Sequence, residues 1–422
     1  MDLKNNDLTQ IDCDNLSLAD FSNYEAENLF DVVELFDAFY KDTISKKDMV
    51  YGNPISTAPV SKFRVYDRYI DKERDFLNFC SYNYLGYSCR PEVIKSVQDT
   101  LQHYGTGAVS APLLSGYYNL SQKLEKAIAK FKQKEAAVIF PTGYGTNLGV
   151  LSCLLKSGDI AILDILSHAS IYDGVKMSGA ECKVFSHNNA EHLEKILKNV
   201  NAQRAIVCVE GVYSMDGDLV NLPEIVAVCK KYGAKILLDE AHSTLIFGEN
   251  GRGVAEHFGL EDQIDLTVGT FSKSFGAIGG FVAGKEKLMT YIRYFARSYV
   301  FSCAVAPHTA AGIMKVIDLY QKDKSEREQL WVNTLYMQNK LRDAGLDIGK
   351  TESQVIPVIV GSDQKLRKIS KNIYAEGLYT GIVTYPAVSN KRTRLRLSMS
   401  SNHTQEEMDT CVDIIQNAFR KL

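Results

Sequence analysis

The stretch Thr267–Gly280, TVGTFSKSFGAIGG, sets Lys273 among small hydroxyl residues and glycines, directly after an apolar run that reads as a buried strand. Lysine favours open surface, and a loop of Thr, Ser and Gly offers it no salt partner. Two readings stand side by side. Lys273 is a solvated loop lysine, or it is an amine held in a site whose hydroxyls and backbone N–H groups bind an anion. The stretch alone leaves both open.

Working outward, residues 95 to 300 alternate in pattern. Helical stretches such as Leu120–Lys132 are followed by short apolar runs at Ala136–Phe140, Ile160–Leu163, Cys182–Phe185, Ala205–Val209, Lys235–Leu238 and Leu266–Val268. Strands of this kind between helices predict a mostly parallel sheet covered on both faces. From about residue 305 the texture changes. A long helical stretch with a charged segment, Asp318–Trp331, leads to shorter strands at Val355–Val360 and Arg394–Met399 and a last helix over Gln405–Leu422. This predicts a smaller α+β domain.

The 422 residues are 45% hydrophobic and 23% charged, an ordinary globular composition with room for more than one domain. No apolar run approaches a membrane span, and the N-terminus opens with acids rather than a basic targeting segment. The nine cysteines are scattered singly with no CxxC pair, and no HExxH or similar metal-ligand cluster appears. These features predict reduced thiols in the cytoplasm. The net charge of −3 hides an asymmetry: residues 1–45 hold eleven acids against two lysines, so the rest is mildly basic. Its Lys and Arg are dispersed, which argues against a nucleic-acid binder. Residues 1–25 read as a loose acidic arm. From Glu27 to Tyr40, Leu29, Val32, Val33, Phe36, Phe39 and Tyr40 fall at helical spacing, a helix docked on the body. Its acids would be repelled by anionic lipid, so membrane contact is at most peripheral.

Other stretches end strands in the same way as the opening one. LLDEAH, Leu237–His242, looks at first like a helicase box, but the phosphate loop such an enzyme needs is missing. The one Gly-Lys-Thr, at 349–351, lies downstream, and Gly345 is one residue too close. What remains is Asp239 at the C-terminal end of a central strand, where parallel sheets bind ligands, with helix capping as its plainer role. PTGYGTNLG, Pro141–Gly149, is a glycine turn opening a helix, suited to a phosphate or simply to the turn itself. DILSHASIYDG places His168, and VEGVYSMDGD places Glu210 and Ser214, each after a strand. Read singly, each is as well explained by structure. Read together, a glycine turn, a His, a Ser, an Asp and a Lys all follow strands of one sheet and could face one crevice. A phosphorylated aromatic cofactor needs that set: hydroxyls and N–H groups for phosphate, Asp for a ring nitrogen, His to stack, Lys for a Schiff base. That is the protein side of pyridoxal phosphate (PLP) chemistry.

The motifs NFCSYNYLG, PTGYGTNLGV, SHASIYDG, EGVYSMDGD, LLDEAHS, NGRGVAEHFGL, VGTFSKSFGAIGGF and RLRLSMSSNHT extend the match. From about residue 45 to its end the chain resembles the α-oxoamine synthases, fold-type-I PLP enzymes that join an amino acid to an acyl-CoA with loss of CO2. SHASIYDG, GTFSKS and KYGAKILLDEAHS are most similar to the bacterial serine palmitoyltransferases. The resemblance implies an α/β fold-type-I transferase with a mostly parallel central sheet. Its expected parts are an acidic arm with a short helix (1–45), an N-terminal segment packing with the small domain (46–94), a large PLP-binding domain (95–304) and a small C-terminal α+β domain (305–422). It also implies the roles. Lys273 is the Schiff-base lysine, Asp239 the ring-nitrogen partner and His168 the stacking residue. Ser214 and His242 contact the ring oxygen. Gly143, Tyr144, Thr270 and Ser272 hold phosphate, with Ser302 lent by the other subunit of a homodimer with shared sites. Arg396 and Asn83 hold substrate. Two positions depart from the family: in Gly105–Pro112, GTGAVSAP, the usual arginine is absent, and Thr384 and Tyr385 stand where serine palmitoyltransferases carry a further one.

The implied activity is condensation of a small amino acid, serine first, with a medium- or long-chain acyl thioester, as in sphingolipid biosynthesis. Alternatives are an 8-amino-7-oxononanoate synthase, a 2-amino-3-ketobutyrate CoA ligase, or a synthase of secondary metabolism that takes its acyl group from a carrier protein. Aminotransfer or desulfuration is a further enzyme reading. A non-catalytic partner subunit is a reading of another class, and such subunits lack the lysine that Lys273 provides.

Overall fold

A computed structural model describes residues 16–22, 24–25 and 28–422. Its strands are β1 (Lys62–Asp67), β2 (Lys72–Phe79), β3 (Ala136–Phe140), β4 (Ile160–Asp164), β5 (Glu181–Phe185), β6 (Ala205–Glu210), β7 (Lys235–Asp239), β8 (Leu266–Thr270), β9 (Gly280–Gly284), β10 (Val355–Ile359), β11 (Leu378–Val383) and β12 (Arg394–Ser398). The chain divides into a unit from Tyr82 to Leu330 and a second made of the residues before and after it.

In the Tyr82–Leu330 unit the seven-stranded sheet runs β3-β9-β8-β7-β6-β4-β5. All strands are parallel except β9, antiparallel to both β3 and β8. Strands β4, β6, β8 and β9 are buried throughout, as strands covered on both faces must be. Leu163, Cys208, Leu237 and Val268 pack with Val150 and Leu151 of the helix Gly143–Leu154 and with Ile171 and Val175 of the helix Ala169–Ser178. The six expected strands are all present, each within two residues of its expected ends. The glycine-framed β9 is an addition: GFVAG offers too few apolar side chains to read as a strand. It fits because Gly269 of β8 leaves room for its register partner Phe281; a Cβ there would meet the ring at 2.4 Å. The stretch Asp318–Trp331 is not one helix. Asp323 breaks it by accepting from the N–H and hydroxyl of Ser325 (2.8 and 2.9 Å), giving helices Pro307–Lys322 and Ser325–Asp343. Helix Pro307–Lys322 lies in the larger unit, beyond the expected boundary at 304, because its small face packs there: a Cβ on Gly312 would touch Val97 at 3.0 Å. Residues 82–94 belong to the same unit.

The other unit holds a five-stranded sheet, β1-β2-β11-β12-β10, with only the β2–β11 pairing parallel. Its last helix, Gln405–Arg420, starts with a capping box between Thr404 and Glu407. Of the expected loose arm, residues 16–22 are packed rather than loose. A short helix, Leu18–Ser22, precedes the helix Asp31–Ser45, and Leu16 and Phe21 are buried against Leu35 and Phe39. Arg367 donates to the carbonyl of Leu16 and lies over the Phe39 ring, 5.4 Å from its centroid. Two anchors five residues apart make no periodic run, so the pattern gives no sign of them. Residues 1–15, Asn23, Ala26 and Glu27 lie outside the described residues.

Replacing Phe39 by Ala removes the ring on which Phe21 and Arg367 rest. The expected loss is about 3–5 kcal/mol, read as a lower denaturant midpoint for this unit; an unchanged midpoint would show the arm contributes nothing.

Candidate active site

The C-terminal ends of β3, β4, β6, β7 and β8 open on one cleft of about 330 Å³. Gly143, Tyr144, His168, Asp239, His242, Thr270, Ser272 and Lys273 all line it. The topology accounts for this, since residues after adjacent parallel strands share one edge of the sheet.

Asp239 is the last residue of β7 and is buried. One carboxylate oxygen accepts from the Asn147 amide at 2.7 Å and the other from the Ala241 N–H at 2.9 Å. Asn147 also donates to Ser170 at 3.0 Å. His242 sits 2.9 Å, Nδ1 to oxygen, from the Tyr84 hydroxyl, and the Tyr82 ring meets it edge-on. The Lys273 ammonium lies 5.9 Å from the centroid of Tyr82.

His168 ends the loop after β4 and caps the helix Ala169–Ser178; its Nδ1 lies 2.8 Å from the Ser170 hydroxyl. Burial holds its imidazole below the usual range, and the Lys273 charge adds to this while Asp239 opposes it. A neutral ring suits stacking on a cofactor. The backbone N–H of His168 donates to Glu210, a fully buried carboxyl at the end of β6. Burial pushes Glu210 well above the usual carboxylate range, and the Asp239 charge adds to it.

The donor set fits a phosphate-bearing cofactor. Thr142 caps the helix Gly143–Leu154 by accepting from Gly145 N–H at 2.9 Å, so that helix directs its free N-terminal N–H groups at the cleft. Thr270 and Ser272 place their hydroxyls 2.7 Å apart at the same end. Gly143 is required by space: a Cβ there would lie 2.7 Å from the Thr270 hydroxyl. Lys273 and Asp239 supply the amine and the carboxylate that PLP chemistry uses.

Four expected residues stand apart from the cleft lining. Ser214 is buried in the loop after β6. Asn83 is buried and accepts from the Ser88 N–H at 3.3 Å, holding its own turn. Ser302 follows the short helix Arg297–Val300. Arg396 is buried on β12, in the other unit. Asn147, Ser170 and Tyr84 were not singled out by the sequence reading. All three lie inside motifs quoted above, PTGYGTNLGV, SHASIYDG and NFCSYNYLG, but nothing in the motifs marks them as partners of the site.

Gly143→Ala is expected to weaken PLP binding at least about tenfold, the cost of a single lost or displaced charge-assisted hydrogen bond, with the fold unchanged by circular dichroism. A titration giving wild-type affinity would remove the cradle from this helix end.

The model of the class I and II aminotransferase family matches residues 74–415. The chain is 37% identical to 8-amino-7-oxononanoate synthase 1 of Bacillus subtilis over 347 residues, 82% of this chain and 88% of that one. It is 36% identical to the serine palmitoyltransferase of Sphingobacterium spiritivorum over 353 residues, covering 83% and 88%. A third relative, 4-hydroxy-2,2'-bipyrrole-5-methanol synthase PigH of a Serratia species, is 34% identical over 94% of this chain, which spans 61% of that protein's length. Among solved structures, the Sphingomonas wittichii serine palmitoyltransferase superposes with a TM-score of 0.86 at 33% identity, covering 93% of this chain and 98% of that one. A serine palmitoyltransferase solved with PLP gives 0.88 at 33% identity, covering 94% and 99%. With its fold, its cleft and these relatives in agreement, the chain belongs to the class I and II aminotransferase family and, within it, to the PLP-dependent α-oxoamine synthases.

Proposed function

We propose that this α-oxoamine synthase condenses a small amino acid, serine first, with a medium- or long-chain acyl thioester. The α-carbon loses a proton and bonds to the thioester carbonyl carbon, the thiol leaves, CO2 departs and a proton returns to the α-carbon. The product is an α-amino ketone. Bound PLP supplies the sink for the electron pair left on the α-carbon. Lys273 Nζ is both the attachment point and the base for the α-proton. Asp239, held by Asn147 and Ala241, would keep a proton on the ring nitrogen of a bound cofactor. His168 would cover the ring and His242 would serve its oxygen, while Ser214 and Arg396, which stand apart from the cleft lining, keep only the roles the family resemblance assigns them, a ring-oxygen contact and a fork for one carboxylate.

The observation that carries the acyl half is the segment Gly105–Tyr117. It contains no charged residue, and it exposes Val109 (90%) and Leu114 (83%). Where α-oxoamine synthases usually carry an arginine this segment has none, so the far carboxylate of a dicarboxylic acyl group would have one fewer candidate partner, and burying it alone is costly. An apolar tail needs none. The serine palmitoyltransferase and oxononanoate synthase relatives stand at 36% and 37% identity, so identity favours neither.

The same surface supports a homodimer with shared sites. Ala304 N–H donates to Ser110 O at 3.0 Å, which sets Val109 beside the segment of Ser302 and of Phe301, itself 74% exposed. Apolar side chains this open on neighbouring loops favour a second copy.

Borohydride reduction with PLP followed by peptide mapping should label Lys273; a label on another lysine, or on none, contradicts the assignment. Thiol release with serine and acetyl-, succinyl-, pimeloyl-, decanoyl- and palmitoyl-CoA tests the acyl half. Each added methylene should raise kcat/KM by up to about fourfold, from about 0.8 kcal/mol of burial, until the acyl site is full. Best activity with acetyl- or succinyl-CoA would overturn the proposal. Activity with acyl carrier protein alone would keep the chemistry and change the donor.

A further inference from the structure

Beside the cleft lies a charged cluster that the reaction above does not use. His187 follows β5, and its two ring nitrogens face two carboxylates. Nδ1 is 3.0 Å from Asp164, the last residue of β4, and Nε2 is 2.7 Å from Asp218, in the loop after β6. Each nitrogen can satisfy its carboxylate only by carrying a proton, so the geometry requires imidazolium. Burial works against that charge, but the two carboxylates outweigh it and push the imidazole up to about 10.

The cluster ties three strand ends together. Asp164, fully buried, also accepts from the backbone N–H groups of Leu166 and Asn188, both at 2.9 Å. Asn188 adopts a left-handed backbone, φ +53°, and spends its side chain on the next loop: its amide donates to Leu219 O at 2.8 Å and its oxygen accepts from Asn221 N–H at 2.9 Å. The Tyr213 ring stands edge-on to His187 with centroids 4.5 Å apart. Asp164 begins the loop that ends at His168, while Tyr213 precedes Ser214 and Asp218 follows it four residues later. Without the imidazolium two carboxylates would confront each other in a poorly solvated space, and nothing else described between them carries positive charge.

We propose that His187 is a positioning residue, an imidazolium clasp between Asp164 and Asp218 that sets the His168 loop and the Ser214 loop in register at the rim of the cleft. The inference rests on the PLP reading for the roles of His168 and Ser214, but the clasp itself is a property of the chain with or without cofactor. Its contribution is fully present below the ordinary imidazole value and is lost as pH rises through about 10.

The test is amide hydrogen exchange on the full chain, with and without PLP, for wild type, His187→Gln and Asp218→Asn. The expected result is exchange faster by at least about tenfold in residues 164–168 and 211–221, with β6 and β7 keeping wild-type protection. PLP titration of the same variants should show weaker binding. Uniform acceleration across the sheet, or unchanged exchange in either loop, overturns the proposal and leaves the cluster as general stabilisation. If His187→Gln fails to fold, Asp218→Asn, which keeps the Asp164 contact, gives the same readout alone. Wild-type chain that shows the protected loops yet takes no PLP would count against the proposed function and not against the clasp.

Discussion

The site depends on one constraint: a carboxylate must be held at a strand end, out of water, and aimed into a cleft. Asp239 meets it through two hydrogen bonds, from the Asn147 amide and the Ala241 N–H. Its register partner across the β6–β7 pairing is Glu210, a second buried carboxyl. Two such groups side by side cannot both carry charge cheaply. Burial drives Glu210 toward the neutral acid and the Asp239 charge adds to it, against the backbone N–H that Glu210 accepts from His168. Asp239 lines the cleft beside Asn147 and Ala241, where a cofactor's ring nitrogen would be held.

Everything else in the larger unit serves to bring partners to that charge. The parallel sheet delivers the glycine turn, His168, Asp239 and Lys273 to one edge because each follows a strand running the same way. The antiparallel β9 lets the chain double back after Lys273, so the Thr270–Ser272 hydroxyl pair is pinned beside Gly143. The charged cluster at His187 lies one layer further out and fastens the loops that follow β4 and β6.

The cleft residues were legible in the sequence because each sits after an apolar run, and apolar runs in a parallel sheet are nearly unbroken. Asn147 and Tyr84 were not, because a hydrogen bond across the fold leaves no periodic trace along the chain. β9 escaped notice because its glycines serve close packing, and the small unit's β1 because its alternating pattern, KFRVYD, is half charged. The docked arm was hidden for the same reason as Asn147: Leu16 and Phe21 acquire meaning only when Leu35, Phe39 and Arg367 come up against them. Sequence pattern reports which face of an element is buried; it does not report which distant partner completes it.

The central claim is that buried Asp239 keeps the cofactor ring protonated. The direct measurement is the 15N chemical shift of the pyridine nitrogen in isotopically labelled PLP bound to the chain. A protonated nitrogen at neutral and mildly alkaline pH, lost in Asp239→Asn, is the result this account requires. An unprotonated nitrogen in the intact chain, or one protonated equally well without the carboxylate, would contradict it.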